Sequence, residues 1–63
     1  GELDKNQLFY LRSRGIDESK AKKILINAYL NELIEEINNL ELAKLVEQAS
    51  NYWLKQNDMY IEA

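Results

Sequence analysis

The chain contains no cysteine, no histidine and no proline, and only two glycines in 63 residues. Without a thiol or an imidazole there can be no disulfide staple, no Cys₂His₂ or Cys₄ zinc site and no Cys–His or Ser–His nucleophile. No apolar run approaches 18 residues, which excludes a hydrophobic membrane span, and no signal-peptide pattern is present. These absences fit a reducing compartment, cytosol or organelle stroma. A chain of this size buries only about 60% of its unfolded surface, so its core is marginal. The first residue is Gly1 rather than methionine, which suggests a piece of something longer.

Charge is mild in total and uneven along the chain. The net charge is −3, divided as +2 over residues 1–23 and −5 over residues 24–63. Sequence-independent nucleic-acid binding needs a broadly basic surface that releases counterions, and this distribution disfavours it.

The stretch Leu8–Ile16, LFYLRSRGI, organises what is present. Four consecutive apolar residues, Leu8 to Leu11, are too many for one stripe of an exposed helix. Arg12 and Arg14 follow where positive charge complements a helix C-terminus. Gly15 stands where a left-handed residue ends a helix, a conformation glycine adopts without a Cβ clash. Ile16 is placed to fold back on that end, and Asp17 to cap the next helix. The pattern predicts an all-α fold of one small domain, residues 1–63. A helix–turn–helix corner is followed by a third, amphipathic helix, with helices over about 5–14, 18–37 and 40–56.

Asp4 with Gln7 marks the first N-terminus, after a lead-in Gly1–Leu3, and Asn38–Asn39 marks the second turn. The apolar positions of helix 2 do not form one stripe: Ala21, Ile24, Leu25 and Ala28 lie on one face, and Ile26, Leu30, Leu33 and Ile37 on another. That predicts a helix that buries two faces, one under helix 1 and the other under helix 3, or else with an external partner taking part of one face. Helix 3 is one-sided. Leu42, Leu45, Val46, Ala49, Tyr52 and Trp53 fall within an arc of roughly 120°, expected to face the core. Residues 56–63 either extend helix 3 or fray.

Candidate chemistry is sparse. Glu32, Glu35 and Glu36 crowd the end of helix 2, where they oppose its dipole, but carboxylate-bridged metal sites add histidines and none exists here. A solvated acidic face is the expectation. Lys20, Lys22 and Lys23 with Arg12 and Arg14 could suggest a DNA-binding helix–turn–helix, yet Asp17 and Glu18 at that tip would repel phosphates. Three short helices offer little room for a catalytic pocket. The expectation is a non-enzymatic chain with no cofactor and no metal.

The corner LFYLRSRGI followed by DESKAKKILINAYLNELIEEI closely resembles the SufB/SufD family of iron–sulfur cluster assembly scaffolds, over residues 1 to 37. Ala21, Ile24–Leu25–Ile26 and Glu32 also fall in that family's pattern. Ala28–Tyr29 is similar to the Ala-Phe typical of SufD rather than the Gly-Phe typical of SufB. Residues 38–63 carry no matching motif. The resemblance implies the C-terminal helical domain of a longer protein with an upstream β-helix. The cluster chemistry and the contact with a SufB-like scaffold would lie in that upstream part. It further implies docking to the SufC ABC-type ATPase, with a cytoplasmic or plastid-stroma location; from the charge balance and the lack of a long apolar run, neither nucleic acid nor membrane is expected as a partner. The residues expected to contact the ATPase are Tyr10 as anchor, Arg12 and Arg14 as donors, Ile16 at the apex, and Lys20 and Lys23 at the rim. A fragment with uncovered apolar surface is open to self-association. The alternative is a free-standing helical regulator or nucleic-acid-binding module.

Overall fold

The computed structural model describes residues 4–62 and contains three helices, α1 (Lys5–Ser13), α2 (Glu18–Glu35) and α3 (Leu40–Gln56), with no strand among the described residues. The expected lead-in Gly1–Leu3 lies outside them. Each helix begins on a side-chain cap. The Asp4 carboxylate accepts from the Asn6 and Gln7 amides at 2.8 and 3.4 Å, Asp17 from Lys20 at 2.9 Å, and Asn39 from Leu42 at 2.8 Å. Each satisfies a first-turn amide that has no partner inside the helix.

Two helices end alike. At α1 the Ile16 amide donates to the Leu11 carbonyl at 3.1 Å and the Gly15 amide to Arg12 at 3.0 Å, with Gly15 at φ 89°. At α3 the Met59 amide donates to Leu54 at 2.7 Å and Asp58 to Lys55 at 3.2 Å, with Asp58 at φ 55°. Both are Schellman turns, in which one left-handed residue lets two amides satisfy the last free carbonyls. α2 stops differently. It ends at Glu35, two residues before the expected Ile37, and the Ile37 amide reaches back only three residues to Ile34. Glu32, Glu35 and Glu36 are all exposed at this end, where carboxylates oppose the dipole.

α2 packs against α1 and against α3, and α1 does not contact α3. α2 is packed on two sides as expected, but Ala28 and Leu33, one from each expected face, are exposed. The result is elongated: the extents are 39 × 22 × 20 Å with a radius of gyration of 12.9 Å, whereas a compact chain of this length would have about 11 Å. Among the described residues only Ala21 and Leu54 are buried, at 0% and 3% exposure.

α3 departs from expectation. Its apolar stripe does not face the core: Leu42, Leu45, Tyr52 and Trp53 are 50%, 62%, 67% and 49% exposed, Ala49 is exposed, and Val46 alone is half-buried. The face turned inward carries Ala43, Val46, Ser50 and Leu54. At 3.6 residues per turn that row is centred about 100° away from the apolar arc. The reason is geometric. Small side chains at 43 and 50 permit close approach to α2, and Leu54 seals the row, whereas the bulky arc would hold the helices apart.

The two Schellman turns predict opposite responses to substitution. No atom lies within 4 Å of a Cβ built at Gly15, so Gly15→Ala acts through backbone strain alone and should cost about 1 kcal/mol. Asp58→Gly removes the same strain and should stabilise by about 0.5–1 kcal/mol. Urea denaturation midpoints check both, and an unchanged midpoint for Gly15→Ala would contradict the turn.

Candidate functional site

The corner joining α1 to α2 is built from the turn inward. Tyr10, in the last turns of α1, is 58% exposed, and its carbonyl accepts the Ser13 hydroxyl at 2.7 Å and the Arg14 amide at 3.2 Å. The Arg14 guanidinium carbon lies 5.8 Å from the centroid of the Tyr10 ring. That is within cation–π range and holds cation and aromatic together on one side of α1. Tyr10 also walls a shallow apolar groove with Leu11, Ile24 and Leu25, between α1 and α2.

Arg12 is exposed and points elsewhere. Two residues along a helix turn through about 200°, so it leaves the far side of α1 from Tyr10. There it borders a depression with Leu8, Phe9 and Glu18. Phe9 is 74% exposed, more than any other large apolar side chain described. Ile16 is half-buried at the apex. Lys20 and Lys23 lie on a third surface, a groove of α2 floored by Ile24 and walled by Tyr60 and Ile61.

The six residues singled out from sequence therefore do not converge on one patch. Tyr10 and Arg14 share one side of α1, Arg12 has the other, and Lys20 and Lys23 flank the chain that follows α3. That chain was missed. It neither extends the helix nor runs free, because Asp58 turns it back onto α2. There the Asn27 side-chain amide donates to the Met59 carbonyl at 2.8 Å, and to its own helix at Lys23 at 2.7 Å. The Lys55 ammonium sits 4.7 Å over the Tyr60 ring. The available signal was Asn27 itself, a poor helix former placed in mid-helix, where a polar side chain needs a partner. Phe9 had a signal too, in the four-residue apolar run.

Among the described residues no group of three or more histidine, cysteine, aspartate or glutamate side chains could hold a metal ion. No described helix is long and apolar enough to cross a membrane.

The corner lies inside the region of similarity to known proteins. A family model described as the SUF system FeS cluster assembly, SufBD core domain matches residues 1–29, from the start of the chain to the middle of α2. An iron–sulfur cluster assembly SufBD family protein of Mycobacterium leprae is 49% identical over 37 residues, covering 59% of this chain and 9% of its own length. The iron–sulfur cluster assembly protein SufD of Escherichia coli is 41% identical over 46 residues, 73% of this chain and 11% of its own. The chloroplastic protein ABCI7 of Arabidopsis thaliana is 39% identical over 51 residues, 81% of this chain and 10% of its own. These matches support the SufB/SufD family. The chain thus spans about a tenth of the length of the relatives it matches. No solved structure matches it. The matches give no support to the alternative of a free-standing helical regulator or nucleic-acid-binding module.

The tail contact yields a prediction in which two effects offset. Asn27→Ala loses a hydrogen bond of about 1 kcal/mol but gains about half that in helix propensity. Global stability should move by less than about 0.7 kcal/mol. Residues 59–61 should nevertheless lose their order, read as a rise in their fast NMR motions. Unchanged tail motion would contradict the anchoring role of Asn27.

Proposed function

We propose that this chain is a non-catalytic interaction domain of a SufD-like iron–sulfur cluster assembly scaffold, and that its α1–α2 corner docks the SufC ABC-type ATPase. In this reading residues 1–63 are the C-terminal helical domain of a longer protein. The cluster-building groups and the contact with a SufB-like scaffold belong to the part upstream. The composition agrees, since a chain with no thiol and no imidazole has no ligand set for an iron–sulfur cluster. Ala28–Tyr29 and the similarity to SufD of Escherichia coli support the SufD-like side of the family.

The observation that carries the docking assignment is the state of the corner. A solitary domain has little reason to hold Tyr10 and Phe9 at 58% and 74% exposure, with Arg14 paired to the Tyr10 ring. Aromatic and arginine side chains are the types that dominate interface energies. Tyr10 and Arg12 leave opposite sides of α1, so a flat partner could not reach both. A partner groove that receives the tip of the corner could, with apolar walls against Tyr10 and Phe9 and acceptors for the two arginines. Ile16 would sit at the inserted apex, and Lys20 and Lys23 at the rim.

Arg12→Ala with Arg14→Ala should weaken binding to the SufC-type ATPase of the same source by roughly 1–3 kcal/mol, the range for charge-assisted hydrogen bonds. Titration calorimetry measures this, with circular dichroism to check that helicity is retained. A double variant that binds as tightly as the parent would make the corner structural and move the docking surface to α2 or α3.

A further inference from the structure

The exposed face of α3 has an order of its own. Leu42, Leu45, Ala49 and Tyr52 recur at alternating spacings of three and four, which are the a and d positions of a heptad, and all four are exposed. The row extends about 15 Å along the helix. One edge is formed by Glu41, Gln48 and Lys55, at seven-residue spacing and all exposed; the other carries Val46 and Trp53.

We infer that α3 pairs with α3 of a second copy of this chain, antiparallel, about a two-fold axis passing between Leu45 and Ala49. Charge decides the direction. In an antiparallel pair each edge of a helix meets the same edge of its partner, read in reverse. Glu41 then faces the partner's Lys55, Lys55 faces the partner's Glu41, and Gln48 meets the partner's Gln48 at the axis. Shape agrees with this register, for Leu45 lies over the partner's Ala49 and Leu42 over the partner's Tyr52, so large residues meet small ones or stack along a ring. A parallel pair would instead set Ala49 against the partner's Ala49, leaving a gap, and would place Glu41 beside the partner's Val46. The Lys55 ammonium already lies over the Tyr60 ring, at the end of this edge. An ammonium has three protons, so that contact leaves donors for a carboxylate. The pairing uses neither α1 nor the corner, so it stands independently of the docking assignment.

Sedimentation equilibrium of the 63-residue chain from micromolar to millimolar concentration tests the inference. The single tryptophan, Trp53, supplies a second readout, since pairing covers its edge and shifts its emission to the blue. The parent should pass from monomer to dimer across that range. Lys55→Glu makes the edge wholly acidic and Glu41→Lys makes it wholly basic. Each variant alone should pair about tenfold more weakly than the parent, and an equimolar mixture of the two should regain the parent's affinity as a heterodimer. Should either variant lose helicity by circular dichroism, Gln48→Glu reads the same register, because it sets two carboxylates together at the axis and should also weaken pairing. A parent that stays monomeric at millimolar concentration overturns the inference and leaves the face to another segment of a longer chain or to a different protein. A mixture that pairs no better than its separate components overturns it too, as would a helical Gln48→Glu variant that pairs like the parent, since either means association without this register.

Discussion

Everything in this chain depends on α2 being wanted by two neighbours at once. α1 lies on one of its faces and α3 on another, and the two outer helices never meet. No closed core can form around such a wall. Ala21 and Leu54 are the only buried residues described, and the apolar area that would complete a larger core is instead spread over outer surfaces. The hydrophobic contribution scales with area removed from water, so the fold is held by two half-covered interfaces rather than by one interior. Local devices carry more of the stability than in a larger domain. Three side-chain N-caps and two Schellman turns fix where each helix starts and where two of them stop, each a contribution of the order of 1 kcal/mol.

That division explains what could be read from the residues and what could not. Helices and caps were legible because they depend on near neighbours in sequence: Asp4, Asp17 and Asn39 each act within three residues, and Gly15 within four. The two faces of α2 were legible because its apolar residues fall on two arcs. The orientation of α3 was not. Periodicity locates the apolar arc of a helix but does not say what covers it, and here backbone approach through Ala43 and Ser50 outweighs the size of the arc. The chain after α3 was hidden for another reason. Its turn uses Asp58 at positive φ, a role usually advertised by glycine, and its anchor is a hydrogen bond spanning 32 residues. Of the candidate site, the exposure of Tyr10, Arg12 and Arg14 was legible from an apolar and basic excess at a helix end. Their separation onto different surfaces follows from a 200° rotation between positions 10 and 12 and from the tail that crosses Lys20 and Lys23.

A bundle with two open sides suits a connecting part. The corner offers aromatic and cationic groups at its tip, and α3 offers an apolar row edged by complementary charges, on a different helix. Because these surfaces belong to helices that touch only through α2, one can be occupied without rearranging the other. Adjustments on one side reach the other only through α2 and the chain after α3 that folds onto it.

Native-state hydrogen exchange on the Gly15→Ala variant, compared residue by residue with the parent, tests this arrangement most directly. If α1 and α3 are held separately on α2, weakening the corner should speed exchange most in α1 and leave those amides of α3 that exchange by local opening, rather than by global unfolding, at the parent's rates. Equal acceleration of all three helices would mean a single cooperative unit, and would contradict the account of α2 as a wall with two independent faces.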